Sequence, residues 1–219
     1  MKKVIIVGTT MFSAELAEIL RKESYEILGF TVDSAYIASD EYYNYPVFPF
    51  EKITEKIDLR SLEFALALGY SKMNDNRKAK FNQCKSNSFK VFTFISKHAQ
   101  VYSQQIGEGS IIMPGCYIGP YSEIGKCTVV RPGTVLAHHD KIGDYNWIAD
   151  SCTFGGGVKM GDNCFIGLGS TVRNELSIED YTLVGAHTYI GKNTEKNKVY
   201  YGVPAKVANG NSLEIIKRI

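Results

Sequence analysis

The sequence predicts two parts: an α/β domain with a Rossmann-like βαβ pattern over residues 1–90, then a parallel β-helix of hexapeptide repeats over 91–219 that ends in a short helix. Three observations predict this. Apolar runs that read as strands alternate with helix-spaced segments through the first part. From Ile106 to Ile190 every sixth residue is apolar, for fifteen consecutive positions. The period then stops, and "SLEIIKRI" follows a polar stretch.

In chain order, "KKVIIVG" is a continuous apolar run ending in glycine, as buried parallel strands are. "MFSAELAEILRKE" follows with helical spacing, and "YEILGFTVD" is a second strand ending at Asp33. A tyrosine-rich loop leads to "YPVFPF"; "LEFALALG" is another buried strand, "SKMNDNRKAKFNQCK" reads as a helix, and "KVFTFIS" (90–96) closes the region. Alternation of this kind builds a small parallel sheet with helices on its faces.

A six-residue period fits neither a helix nor an alternating strand. It is the signature of a parallel β-helix, in which each unit forms one side of a triangular coil and residues eighteen apart stack. The aliphatic residue points inward. Two positions earlier the residue is usually small (Ser110, Cys116, Ser122, Thr128, Thr134, Cys152, Cys164, Ser170, Thr182, Thr188), which suits a tight corner. The residue after it is often glycine, which the turn would tolerate. "KNTEKNKVYYGVPAKVANG" leaves the repeat, and Ser212 is the expected cap of the terminal helix.

Composition narrows the function. A net charge of +2, with no basic block, gives no reason to expect nucleic acid. "VIIVG" is too short for an export signal, and no run approaches the roughly 18 apolar residues of a membrane span. Five cysteines without a CxxC pair argue against disulfides and zinc, so reduced thiols in a cytoplasmic protein are expected. The corner cysteines read as small buried packing residues.

With "VIIVGTTMFSAEL", "ALGYSKMNDNR", "AHHDKIGD" and "YYGVPAK" around an uninterrupted repeat, the chain resembles one family over nearly its full length. These are the left-handed β-helix acyltransferases that modify sugars, especially the acetyl-CoA-dependent N-acetyltransferases of nucleotide-linked 4-amino sugars. The bacillosamine and perosamine enzymes are examples, and sialic acid O-acetyltransferases are near relatives. The resemblance implies a left-handed coil, a nucleotide-sugar-binding domain over 1–90, an acetyl-CoA-binding catalytic domain over 91–219, and a homotrimer with CoA in grooves between subunits. The expected acceptor is the 4-amino group of a UDP- or dTDP-linked dideoxy sugar, with a sugar hydroxyl as the alternative. A non-catalytic β-helix subunit is the rival from another class. A helical N-terminal domain, as serine acetyltransferases have, is not expected.

The family motif is a histidine, an acid, two residues and Ile-Gly, with the histidine as general base. Before Ile142-Gly143 this chain reads "HHDK". The six-residue register puts His138 at the base position and His139 in place of the acid; matching the local His-Asp pair instead would select His139 with Asp140. Register decides for His138, because a one-residue slip turns a side chain away. The tautomer of His138 then needs another partner: Asp140, Asp144 or a backbone carbonyl. A neutral imidazole can take the proton of a sugar amine as its nitrogen attacks the thioester, and a backbone N–H would steady the oxyanion. The four histidines lack the spacing of the zinc ligands in γ-type carbonic anhydrases, so no metal is expected.

The resemblance extends to binding. Trp147 stands where the bacillosamine enzymes have a second histidine, and its indole N–H could meet the thioester carbonyl; the alternative is a tryptophan packed on a neighbouring subunit. Gly156, one coil from His138, allows close approach of CoA. Gly185 and Ala186 match another backbone contact, and Lys206 in "GVPAK" would meet a phosphate. In the first domain only Gly8 of a dinucleotide fingerprint survives, so NAD is not expected. Gly8 could still offer backbone N–H groups to a pyrophosphate. Asp33 stands where such folds contact a ribose or base, and Asn74 and Arg77 could reach the nucleotide. Each of these also has a plain structural reading, for Arg77 that of a helix surface residue.

Overall fold

The computed structural model describes residues 2–57, 62–203, 206–207 and 209–215. It contains two compact units: Met1–Gly69 with Ala79–Phe92, and Tyr70–Lys78 with Thr93–Ile219. Residues 70–78, which the sequence placed in the first domain, therefore belong with the second. Among the described residues no helix is long and apolar enough to cross a membrane.

The first unit is a six-stranded sheet. Its elements are β1 (Lys3–Val7), α1 (Met11–Lys22), β2 (Glu26–Val32), β3 (Glu41–Tyr42), β4 (Tyr45–Pro49), α2 (Ile53–Lys56), β5 (Leu62–Leu66), α3 (Asp75–Ser86, whose residues to Lys78 belong to the second unit) and β6 (Lys90–Val91). The strand order is β3-β4-β2-β1-β5-β6, with every pair parallel except β3/β4. Without the β3 hairpin arm this is a doubly wound order, whose direction reverses between β1 and β5. Val4, Ile5 and Ile6 are fully buried, as a central parallel strand requires. Thr10 and Ser13 form a reciprocal capping box at the start of α1. The tyrosine-rich segment read as a loop holds a hairpin instead. Tyr43 and Asn44 both take left-handed backbone (φ 49° and 63°), as a tight two-residue turn demands.

The second unit is a left-handed parallel β-helix. Two-residue strands stack into sheets of eight, six and five strands. Pairing follows the eighteen-residue period: Ile112, Val130, Ile148, Ile166 and Val184 form one ladder, and Ile118, Leu136, Phe154, Val172 and Ile190 another. All ten are buried. The coil starts earlier than Ile106, because Phe94–Ile95 and Gln100–Val101 pair with residues seventeen further on, one short of the repeat. "KVFTFIS" is thus two strands in two different sheets. Past the repeat, Val199–Tyr201 adds another strand and then folds back antiparallel onto Lys206–Val207. The terminal helix spans Ser212–Ile215, and 216–219 lie outside the described residues. Its cap is Asn211, whose side chain accepts the Leu213 N–H at 2.9 Å, and not Ser212.

The glycines after the inward residues answer a different need from a turn. A Cβ on Gly119 would stand 2.6 Å from the Ala137 carbonyl carbon, and one on Gly143 2.7 Å from the Gly161 oxygen, so they are glycine because coils stack that closely. Left-handed backbone falls two residues later, at Tyr121, Cys127, His139, Tyr145, Asn163 and Tyr181 among others.

The small corner residues carry a hydrogen-bond ladder. Each of Ser110, Ser122, Thr128, Thr134 and Ser170 donates its hydroxyl to the carbonyl fifteen residues on and accepts the N–H eighteen residues on. Asn146 does both with its amide, donating to Gly161 at 2.9 Å and accepting from Cys164 at 2.7 Å. The thiols of Cys116, Cys152 and Cys164 donate in the same pattern. Burial holds these thiols well above their ordinary range, with Cys164 pushed up to about 12, so they are structural donors rather than nucleophiles.

Candidate active site

His138 and His139 lie on the turn between the strands Val135–Leu136 and Lys141–Ile142, and both are exposed. The stacking that places the inward residues also places them. His138 lies against Gly156, eighteen residues on. A Cβ there would stand 2.5 Å from Cε1 and 2.8 Å from Nε2 of the imidazole, so only glycine lets the ring rest on the next coil. The His138 carbonyl accepts the Gly157 N–H at 2.9 Å, which ties the two turns together.

His139 occupies the left-handed position of the turn (φ 61°). Its ring lies 4.7 Å from that of Tyr121, the residue stacked one coil before it. The two histidines meet nitrogen to nitrogen, Nδ1 to Nδ1 at 3.0 Å, with ring planes at 86°. Such a bond needs a proton on one nitrogen and a lone pair on the other. With His138 as donor its Nε2 is left unprotonated, which is the form of a general base. His139 therefore supplies the partner that the sequence sought elsewhere.

The other proposed partners are turned away. Asp140 is fully buried, and its Oδ1 accepts the Val158 N–H at 2.9 Å. Oδ1 of Asp144 accepts the Lys126 N–H at 2.7 Å, the first step of a second ladder through Asp162 and Asp180. Neither carboxyl hydrogen-bonds His138.

The segment 70–78 corrects three further expectations. Lys72, Met73 and Asn74 all take left-handed backbone (φ 54°, 49°, 69°), so the helix expected from residue 71 begins at Asp75. Met73, Asn74 and Arg77 are fully buried. Asn74 donates to the Cys164 carbonyl at 3.0 Å. Arg77 donates to the carbonyls of Cys127, Tyr145 and Asn146 and to Asn74 Oδ1, at 2.9–3.2 Å. Burial lowers this guanidinium to about 10. Asn163 and Tyr181 hold the segment from the coil side, through the Met73 carbonyl and Asp75. Asn74 and Arg77 thus clamp this segment to the β-helix and do not reach toward a nucleotide. Trp147 is part of the same clamp: it is 6% exposed, its ring is 5.3 Å from Tyr70, and the guanidinium carbons of Arg77 and Arg131 each lie 5.9 Å from its centroid. It packs inside its own chain and is not presented to a thioester.

The remaining candidates are spread out. Gly185 and Ala186 follow Val184, on the edge of the coil that also carries Asp150 and Leu168, whereas His138 and Gly156 share a different edge. Lys206 is exposed on the antiparallel strand beside Tyr201. In the first unit, Gly8 and Asp33 lie at the carboxyl ends of adjacent strands, the usual ligand edge of such sheets. Both are engaged there. The Gly8 N–H donates to the Thr31 carbonyl at 2.9 Å, and Asp33 pairs with Lys80. Gly8 is glycine because its φ is 116° and a Cβ would stand 2.9 Å from the Ala67 oxygen. The sequence reading missed Tyr121, although its place eighteen residues before His139 was readable.

The model of the bacterial transferase hexapeptide (six repeats) matches residues 105–138 and 141–174. The match falls within the β-helix and covers about a third of the chain. Solved structures share the fold across almost the whole chain. The acetyltransferase domain of PglB from Neisseria gonorrhoeae is 19% identical with a TM-score of 0.85, over 95% of this chain and 100% of that one. PerB from Caulobacter crescentus, in complex with CoA and GDP-perosamine, is 24% identical with a TM-score of 0.84, over 94% and 97%. WeeI from Acinetobacter baumannii is 19% identical with a TM-score of 0.84, over 94% and 99%.

Proposed function

We propose that this chain is an acyltransferase that moves an acetyl group from acetyl-CoA to the amino group of a nucleotide-linked amino sugar. The observation that carries the reading is the exposed His138 ring, laid on Gly156 and tied at Nδ1 to His139. The full-length likeness to structures described with CoA and GDP-perosamine, or with acetyl coenzyme A, supports it. His138 Nε2 takes the proton from the amine as nitrogen attacks the thioester carbonyl. The C–S bond then breaks, and the imidazolium returns the proton to the leaving thiolate. Transfer in this reading is direct, from thioester to amine, and the buried thiols take no part in it.

A homotrimer fits this reading. His138 and the Gly185–Ala186 backbone lie on different edges of the β-helix and more than two coils apart, so a CoA that touches both would be shared by neighbouring copies. For the acceptor we keep the 4-amino group of a UDP- or dTDP-linked dideoxy sugar, in a cytoplasmic enzyme with access to acetyl-CoA. The test is thiol release from acetyl-CoA across UDP-, dTDP- and GDP-linked 4-amino sugars and free and CMP-linked sialic acid. Turnover on an amino sugar is the expected result. Turnover on sialic acid alone would move the reading to O-acetylation, and a silent panel would contradict it.

A further inference from the structure

Asp140 stands where the corner ladder asks for a two-way link and performs only half of it. Ser110, Ser122, Thr128, Thr134, Asn146 and Ser170 each accept the N–H eighteen residues on and donate to the carbonyl fifteen residues on. Asp140 Oδ1 makes the first link, from the Val158 N–H at 2.9 Å. Its Oδ2 is buried without a hydrogen-bond partner, and the residue is fully buried. The carbonyl fifteen residues on is that of Gly155. An ionised carboxylate can only accept, so it cannot make the second link; a carboxylic acid can.

We propose that Asp140 is a proton-operated corner: with its proton it donates through Oδ2 to the Gly155 carbonyl and pins the Gly155–Gly157 turn beneath the His138 ring, and without the proton that pin is lost. Gly156 is the residue on which the imidazole rests, and the Gly157 N–H is bonded to the His138 carbonyl. Asp140 is therefore a positioning residue for this turn, separate from the His138–His139 pair. Asn146 shows what the corner wants, since one amide oxygen and one amide nitrogen make both links.

The electrostatics agree. Burial pushes the Asp140 carboxyl up to about 6, against the pull of the Val158 and Ala137 backbone, of the His138 charge and of the Gly157 backbone. Around it stand His138 and His139 on its own turn, Lys141 and Glu123 paired on the outer face at 3.1 Å, and exposed Lys159 one coil on. Of these, His138 is the charge that acts on the carboxyl. The folded value lies above the ordinary 3.8, so the folded chain keeps a proton that the unfolded chain releases. Stability from this corner is complete below about pH 4 and is lost as pH rises through 6.

The experiment compares Asp140→Asn with wild type by thermal unfolding from pH 4.5 to 7.5, together with ¹³C NMR of protein labelled at aspartate carboxyls. The Asn variant makes both links at every pH. Its midpoint should pull ahead of wild type by about 4–8 °C as pH rises through 6, then stay level. One carboxyl resonance should titrate near 6 in wild type and be absent from the variant. A gap that does not change with pH, or no carboxyl titrating above the ordinary range, overturns the proposal. Should the Asn variant fail to fold, Asp140→Ser, the residue of corners 110, 122 and 170, carries the same comparison. Neither readout requires that the chain be a transferase.

Discussion

The turn at 137–140 and the segment at 70–78 both carry polar side chains, and the structure uses them in opposite ways. Both looked from the sequence like places to meet a ligand. In 70–78 the polar groups of Asn74 and Arg77 are fully buried and committed to backbone carbonyls 50–90 residues away. In 137–140 the two imidazoles are exposed and bonded to each other through Nδ1. Chemistry needs polar atoms with bonding capacity to spare. The turn has that, and the clamp has given it up for cohesion.

The largest expected effect breaks the clamp. Arg77→Ala leaves three buried carbonyls without that donor and removes its packing on Trp147. It should cost about 3–5 kcal/mol and lower the thermal midpoint by roughly 10 °C or more, measured by calorimetry. The folded remainder should keep its turnover per molecule. A variant that stays as stable as wild type but loses activity would move function back to this segment.

Gly156→Ala sharpens the comparison from the other side. The new methyl would occupy the place of the His138 ring and push the imidazole off its support. Turnover should fall about 10- to 100-fold, which is about 1.4–2.7 kcal/mol in the barrier. The thermal midpoint should move by only a few degrees. The steric conflict is with the end of a side chain that can rotate away, so a large loss of stability would mean that the turn does more structural work than its contacts indicate.

A smaller effect is expected for His139→Ala, which removes the Nδ1 partner and lets His138 change tautomer. A roughly 10-fold drop in kcat with little change in KM for acetyl-CoA should follow, about 1.4 kcal/mol. His139→Asp restores an acceptor at that place and should recover most of the loss. An equal drop in both variants would mean that His139 acts by packing on Tyr121 instead.

Much of the fold was legible because its cause is periodic. The inward ladder and the pairing of His138 with Gly156 both follow from the eighteen-residue coil, and the run "KVIIV" announces a central parallel strand. The first coil was hidden by a single residue: Phe94–Ile95 and Gln100–Val101 are offset by seventeen. The Tyr43–Asn44 hairpin was hidden because a tyrosine in a left-handed turn has no sequence signal comparable to glycine. Asn74, Arg77 and Trp147 were misread because their partners lie far along the chain, and a buried arginine looks in sequence like a surface one. The side-chain direction of Asp140 could not be read either, since it depends on whether that corner takes the carboxyl inward as the other corners take their hydroxyls.

The most direct test is turnover and thermal midpoint of His138→Ala, measured together on the acceptor that the panel selects. If this edge of the coil holds the base, kcat falls about 10²- to 10⁴-fold while the midpoint stays within a few degrees of wild type. Turnover that survives the loss of His138 in a protein of unchanged stability would contradict the assignment.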